Sequence, residues 1–185
     1  MKYRAWWKLC ATVIISAGIV FAQALPALCA DSRDNYKVLK FGTFAPEGDI
    51  EAFDDGIVLE FGFGHYFNEN AAIEVTFGAI SMNYPAYPEE YDLDVFPFTV
   101  NLKGIAPIDG AEFYGMAGLG IYHVTVWVGY DITDTVPGGD LGIGLKLKFS
   151  DDFAMAFEFK YWITDTIADT DIAVEGKSFT IGFAF

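Results

Sequence analysis

Three features of the sequence predict an all-β chain that closes as an eight-stranded antiparallel up-and-down transmembrane β-barrel. Large apolar residues alternate at period two with small, polar or charged ones over eight segments. Each segment is close to the ~9–11 residues that a tilted strand needs to cross a bilayer. Beyond Ala30 no run approaches the ~18 apolar residues of a membrane-spanning helix. Composition agrees. The chain is 53% hydrophobic with 18 Phe, yet its formal net charge is −15. Such a mixture requires apolar and charged residues to occupy separate zones. The acidic balance also excludes nucleic acid as a partner, because the dominant phosphate interaction would be repulsive.

The first element reads as a signal peptide over residues 1–30, followed by the barrel domain over 31–185. Lys2, Arg4 and Lys8 form a basic start, and Leu9 to Ala22 an apolar run too short for an ordinary transmembrane helix. Two small-residue exits follow, Ala22-Gln23-Ala24 and Ala30 before Asp31; the polar turn after Ala30 favours the second. An uncleaved anchor and a lipoprotein at Cys29 are the alternatives, though Leu28 fits a lipobox poorly. Removal takes three basic residues and no acid, so the mature chain is more acidic still. Both cysteines, Cys10 and Cys29, leave with it. Disulfides and thiolate metal sites are therefore not expected.

The strands follow in order. Tyr36 to Phe44 is the first. Gly56 to Phe67 sets Ile57, Leu59, Phe61 and Phe63 against Glu60, Gly62 and Gly64. Ala71 to Tyr84 sets Ile73, Val75 and Phe77 against Glu74, Thr76 and Gly78. Asp94 to Lys103 sets Phe96, Phe98, Val100 and Leu102 against Pro97, Thr99, Asn101 and Lys103. Glu112 to Val126 sets Phe113, Ala117, Leu119 and Ile121 against Tyr114, Gly118, Gly120 and Tyr122. Asp140 to Phe149 sets Leu141, Ile143, Leu145 and Leu147 against Gly142, Gly144, Lys146 and Lys148. Phe153 to Ile163 sets Met155, Phe157, Phe159 and Tyr161 against Ala156, Glu158 and Lys160. Lys177 to Phe185 sets Phe179, Ile181, Phe183 and Phe185 against Ser178, Thr180, Gly182 and Ala184.

An eight-stranded lumen barely holds ordinary side chains. The Phe-rich face must therefore point to lipid and the glycine-rich face inward, leaving the interior small, polar and charged. Closure then gives every backbone group in lipid an internal partner. Connections alternate in length: 68–70, 104–111 and 150–152 are the shorter ones, and 45–55, 85–93, 127–139 and 164–176 the longer. Short turns at one end and long loops at the other is the outer-membrane pattern, with the long loops outside the cell and both termini in the periplasm.

Parity places Lys40, Glu60, Glu74, Lys103, Lys146, Lys148, Glu158 and Lys160 in the lumen. Buried charges need partners, so these read either as a salt-bridged plug or as a polar, gated path; a filled eight-stranded lumen favours the plug. Tyr84, Tyr91, Trp127, Tyr130 and Trp162 lie near outer strand ends and read as an interfacial aromatic girdle. The long loops hold Glu47, Asp49, Glu51, Asp54 and Asp55; Glu89, Glu90, Asp92 and Asp94; Asp131, Asp134 and Asp140; and Asp165, Asp169, Asp171 and Glu175. Such oxygens suit weak binding of divalent cations and bridging to lipopolysaccharide. No ligand spacing is present, so a solvated acidic surface is the simpler reading, and neither a metal site nor a cofactor is expected. His123 and Thr125 share a strand face, but no acid is placed to orient the imidazole, so no enzymatic activity is expected.

Three stretches carry a resemblance: VFPFTVNLK at Val95 to Lys103, GMAGLGIY at Gly115 to Tyr122, and FTIGFAF at Phe179 to Phe185. The chain resembles the small outer-membrane barrels of the OmpA-like and OmpW-like families over nearly all of its mature length. The resemblance implies a bacterial outer-membrane location, surrounding lipid and lipopolysaccharide, and a monomer. It also implies that Phe179, Ile181, Phe183 and Phe185 form a C-terminal signal read by the barrel-assembly machinery. The expected role is structural or surface-interacting, with a narrow channel for small or apolar solutes as the alternative and lipid A modification as a more remote one.

Overall fold

The computed structural model describes residues 35–84, 91–127, 131–167 and 172–185. The expected leader, residues 1–30, lies outside them. The described residues form β1 (Asn35–Glu47), a short 3-10 turn (Gly48–Ile50), β2 (Gly56–Asn68), β3 (Ala71–Tyr84), β4 (Tyr91–Ile108), β5 (Ala111–Trp127), β6 (Asp131–Ser150), β7 (Phe153–Thr166) and β8 (Ala173–Ala184). Each strand bonds to its neighbour in sequence, and β1 pairs antiparallel with β8 from Val38–Ala184 to Glu47–Glu175. The eight strands thus form a closed barrel with no free sheet edge around its girth. No helix among the described residues is long and apolar enough to cross a membrane.

At the short-turn end the chain reverses tightly. Ile108 pairs with Ala111 across Asp109-Gly110, where Gly110 has φ 74°, a conformation glycine adopts at little cost. The β2–β3 turn is held by Asn70 N–H donating to Asn68 Oδ1 at 2.8 Å, beside a bulge at Phe67. A second bulge at Phe149 precedes the β6–β7 turn.

Strand existence and face parity match the sequence reading on every strand, but most strands are longer than the alternation indicates, β4 and β6 most of all. β4 starts at Tyr91 and runs to Ile108, β6 starts at Asp131, and β8 starts at Ala173. The expected loop 127–139 is therefore mostly strand, because Pro137-Gly138-Gly139 reads as a breaker and is not one here. Pro137 faces outward opposite Ile121, while pairing between β6 and β7 begins only at Gly138–Thr164. Its missing N–H falls where β6 has no β7 partner, the position a sheet tolerates for proline.

The second departure is in the interior. Toward the long-connection end, on β3 to β6, the polar and apolar faces exchange sides without any change of register. On β5, Leu119 and Ile121 point out below, while His123 is exposed and Tyr122 and Val124 are buried above. On β4, Asp92 is exposed and Leu93 and Val95 are buried; on β3, Ser81 and Asn83 are exposed and Ile80 and Met82 buried; on β6, Thr133 and Thr135 are exposed and Val136 buried. The expectation of a uniformly small, polar lumen is corrected by this upper interior. It is a hydrophobic core of Phe44, Ile50, Val58, Ile80, Met82, Leu93, Val95, Tyr122, Val124, Val136, Trp162, Ile167 and Val174. The physical reason is solvent. Where the outer wall meets water, apolar side chains gain by turning inward, as in any water-soluble barrel. Where it meets lipid, the reverse holds.

Candidate functional site

The barrel interior is where polar chemistry concentrates. Below the apolar core lies a layer of buried charge built from five strands. Lys40 on β1 bridges Glu74 Oε1 on β3 at 2.8 Å and Glu158 Oε1 on β7 at 2.7 Å. Lys103 on β4 holds Glu74 Oε2 at 2.6 Å and approaches Glu158 Oε2 at 3.8 Å. Lys160 on β7 holds Glu60 Oε1 on β2 at 2.6 Å and Glu158 Oε1 at 3.2 Å. Tyr36 and Tyr114 donate to Glu74 Oε2 and Glu158 Oε2, each at 2.9 Å. All six charged side chains are at most 6% exposed. Burial of single charges would be prohibitive; an alternating array of lysines and glutamates with added phenol donors meets the demand.

Glycine makes room for it. Tyr114 reaches Glu158 by lying over Gly144, where an added Cβ would stand 2.2 Å from the phenol ring. Tyr36 lies over Gly64 in the same way, at 2.0 Å. The inward glycines are thus seats for lumenal aromatics on neighbouring strands.

Two of the eight expected lumen charges stand apart from this layer, on the inward face nearer the short-turn mouth. Lys148 has a half-exposed side chain and pairs at 2.5 Å with Glu112 at the short-turn mouth. Lys146 lies beside it, donating to Tyr66 Oη at 2.7 Å and standing 3.9 Å from Glu112. Tyr66 in turn donates to Glu112 Oε2 at 2.8 Å. Between this mouth and the central layer remains a cavity of about 20 Å³, lined by Tyr36, Lys40, Tyr66, Glu74, Lys103 and Lys146 among others. That is room for about one water. A wider depression, about 750 Å³, lies on the outer wall around Gly104 and Gly115, between Phe113, Ile143, Leu145, Phe157, Phe159 and Phe179. It faces the lipid belt and bears no catalytic grouping.

Parity alone would have found Glu112, which shares the inward face of β5 with Tyr114. Asp140 is a correction of another kind. Read as a loop acid, it is 3% exposed inside the barrel, because β6 begins nine residues earlier than the alternation suggests. Asp131 and Asp134 likewise belong to β6 and not to a loop. Glu89, Glu90, Asp169 and Asp171 fall outside the described residues.

Of the expected aromatic girdle, Trp162 is a correction. Trp162 is 1% exposed and donates from Nε1 to Ser178 Oγ at 2.8 Å, edge-on to Tyr122. It follows outward Tyr161, so strand parity turns it inward; nearness to a loop does not override that. Trp127 is exposed on the outer wall, two and four residues beyond the polar positions Thr125 and His123 on the same face. Tyr84 is half buried with its ring 5.6 Å from Phe53, and Tyr91 pairs with it at the strand ends. Tyr130 lies outside the described residues. The outward face changes from apolar to polar nearer Phe96 and His123. Phe179, Ile181, Phe183 and Phe185 all lie on the outer wall, where Phe183 stacks between Phe41 and Phe153 at 6.2 and 6.1 Å.

His123 Nδ1 lies 2.9 Å from Thr135 Oγ1 on the exposed outer wall. Among the described residues no group of three or more His, Cys, Asp or Glu is arranged to hold a metal ion.

The profile of the outer membrane protein β-barrel domain family matches residues 12–185. No curated protein matches the sequence significantly. Several solved barrels share the fold. Neisserial surface protein A superposes with a TM-score of 0.63 at 13% identity, over 80% of this chain and 95% of that one. Pseudomonas aeruginosa OprG gives 0.55 at 13% identity, over 82% and 94%. The attachment invasion locus protein Ail of Yersinia pestis, solved with the heparin analogue sucrose octasulfate, gives 0.51 at 14% identity, over 82% and 97%. At such identities the likeness is one of architecture.

Proposed function

The chain belongs to the outer membrane protein β-barrel domain family, and from that premise we propose that it is a closed, non-enzymatic surface barrel of the bacterial outer membrane. One observation carries the reading: the lumen is filled at three successive levels. The apolar core fills the outer third, the lysine–glutamate layer the middle, and the tyrosines with Glu112 and Lys146 the mouth. A cavity with room for one water does not make a path. The protein's contribution is then a rigid body in the membrane and the surface it presents outside.

That surface has a definite chemistry. The β4–β5–β6 wall rises past the lipid belt with polar outward residues. Around it stand exposed Asp49, Glu51, Asp54, Asp55, Asp92 and Asp165, with Lys177 paired to Glu47. An acidic rim of this kind repels sulfated polyanions such as the heparin analogue bound by Ail, so its partners are cationic or neutral surfaces. Lipopolysaccharide and phospholipid surround the apolar belt, the monomer is the working unit, and the aromatic C-terminal strand serves recognition by the assembly machinery.

Planar-bilayer recording of the refolded barrel tests the closed reading: no unitary currents are expected at either polarity, and reproducible unitary steps would overturn it. Mass spectrometry of lipid A with and without expression tests the other half. An unchanged acyl pattern is expected, and loss or gain of one chain would overturn the non-enzymatic reading.

A further inference from the structure

Among the described residues, each lumenal glutamate has a lysine within salt-bridge distance, but Asp140 has none. It is 3% exposed, and both its carboxylate oxygens lack a hydrogen-bond partner. The middle layer holds Lys40, Lys103 and Lys160 against Glu60, Glu74, Glu158 and Asp140, so it carries one uncompensated negative charge. The remaining lysines, Lys146 and Lys148, face Glu112 and water at the mouth. A lone buried carboxylate is costly enough to demand a counter-charge.

The surroundings of Asp140 are oxygen-rich. Asp140 Oδ2 and Asn101 Oδ1 lie 2.8 and 2.3 Å from the point that a Cβ on Gly118 would occupy, so they face each other across the space that this glycine leaves. Asn101 Nδ2 is turned away, donating to Thr99 Oγ1 at 2.9 Å. Two residues toward the apolar core, the Tyr122 ring lies over Gly138, 2.6 Å from where its Cβ would be, and its hydroxyl has no partner. Two residues the other way, Lys160 packs over Gly142, and the Glu60 that it holds keeps Oε2 unpartnered. The unpartnered buried side-chain atoms among the described residues are all oxygens. Turning the Asn101 amide over would give Oδ2 one N–H, but Oδ1 and the net charge would remain.

We infer that Asp140 and Asn101, bordered by Tyr122 and Glu60, form a site for one small hard monovalent cation, with sodium the natural occupant. Hard oxygen ligands select such ions over soft metals. The surplus charge is one, so a divalent ion would leave the layer positive. A single proton would bridge one pair of oxygens only, whereas a cation draws several at once. The site lies on the apolar-core side of the lysine–glutamate layer, and its occupant completes the neutrality of that layer.

The test is the urea midpoint of the refolded barrel in detergent at fixed pH, in sodium chloride against choline chloride at equal ionic strength. A ligand that binds only the folded state raises the midpoint in a saturable way. The wild type is expected to show that rise with sodium. Asp140→Asn is expected to lose it and, because its carboxamide donates to Asn101 Oδ1, to equal or exceed the wild type in choline. If that variant does not refold, Asn101→Ser is expected to weaken the sodium effect. Equal midpoints of the wild type in the two salts would overturn the site, as would a sodium effect that survives Asp140→Asn or is unchanged in Asn101→Ser. A wild-type midpoint that follows pH but not sodium would assign the position to a proton and overturn it equally.

Discussion

Replacing Lys40 by Met removes the cation shared by Glu74 and Glu158. Lys40 Nζ bonds both carboxylates at 2.8 and 2.7 Å, and its side chain is 1% exposed. Removal of one partner from a buried ion pair leaves uncompensated charge and costs roughly 3–5 kcal/mol. Glu74 keeps Lys103 at 2.6 Å and Glu158 keeps Lys160 at 3.2 Å, so the lower end of that range is expected. Glu158→Gln should cost a similar amount, because it strips Lys40 and Lys160 of a shared anion. Together the two substitutions restore the wild-type net charge of the layer, and the double variant should recover a coupling energy of roughly 2–3 kcal/mol against the sum of the singles. Urea unfolding of the four refolded proteins, followed by Trp fluorescence and by gel mobility without boiling, measures the cycle. Additive singles, each below about 1 kcal/mol as for exposed pairs, would mean that water screens these groups. The plugged lumen would then be wrong.

Three further outcomes follow from the same geometry. Gly144→Ala should cost at least the roughly 1–3 kcal/mol of an overpacked core, because its Cβ would meet the Tyr114 ring at 2.2 Å. Gly115→Ala, whose Cβ meets nothing nearer than 4.0 Å, should stay within about 0.5 kcal/mol; denaturant midpoints compare the two. Leu141→Arg, on the lipid-facing wall, should cost roughly 2–4 kcal/mol in vesicles, while Thr133→Arg on the polar wall should cost under about 1 kcal/mol; equal costs would refute the boundary between the two walls. In single-tryptophan forms of residues 31–185, acrylamide should quench Trp127 strongly and Trp162 weakly, since the latter is 1% exposed.

The barrel was readable because lipid enforces a hard rule. A charge on the wrong face of a strand is costly at the midplane, so the parity of Glu60, Glu74, Lys103, Glu158 and Lys160 follows directly from alternation. What alternation could not give was depth. Lys148 has the same parity as Lys160 but stands at the mouth, where water shares its charge. Nor does it mark where the solvent outside changes. Val95 and Phe96, or Tyr122 and His123, look like ordinary neighbours in a row; only the three-dimensional frame shows that one outward position meets lipid and the next meets water. The Pro137-Gly138-Gly139 run hid β6, and with it the burial of Asp140. Trp162 was obscured by a compositional habit, tryptophan near a strand end, that its own parity contradicts.

Cysteine accessibility tests the sealed interior most directly. Residues 31–185 contain no cysteine, so one substitution supplies the only thiol. Thr99 points into the lumen at 1% exposure, while Thr133 is exposed on the polar outer wall. A charged, membrane-impermeant maleimide should label Thr133→Cys in the folded barrel at once, and Thr99→Cys only after unfolding in urea. Rapid labelling of folded Thr99→Cys would show that water and solutes reach the middle of the barrel and would contradict the closed lumen.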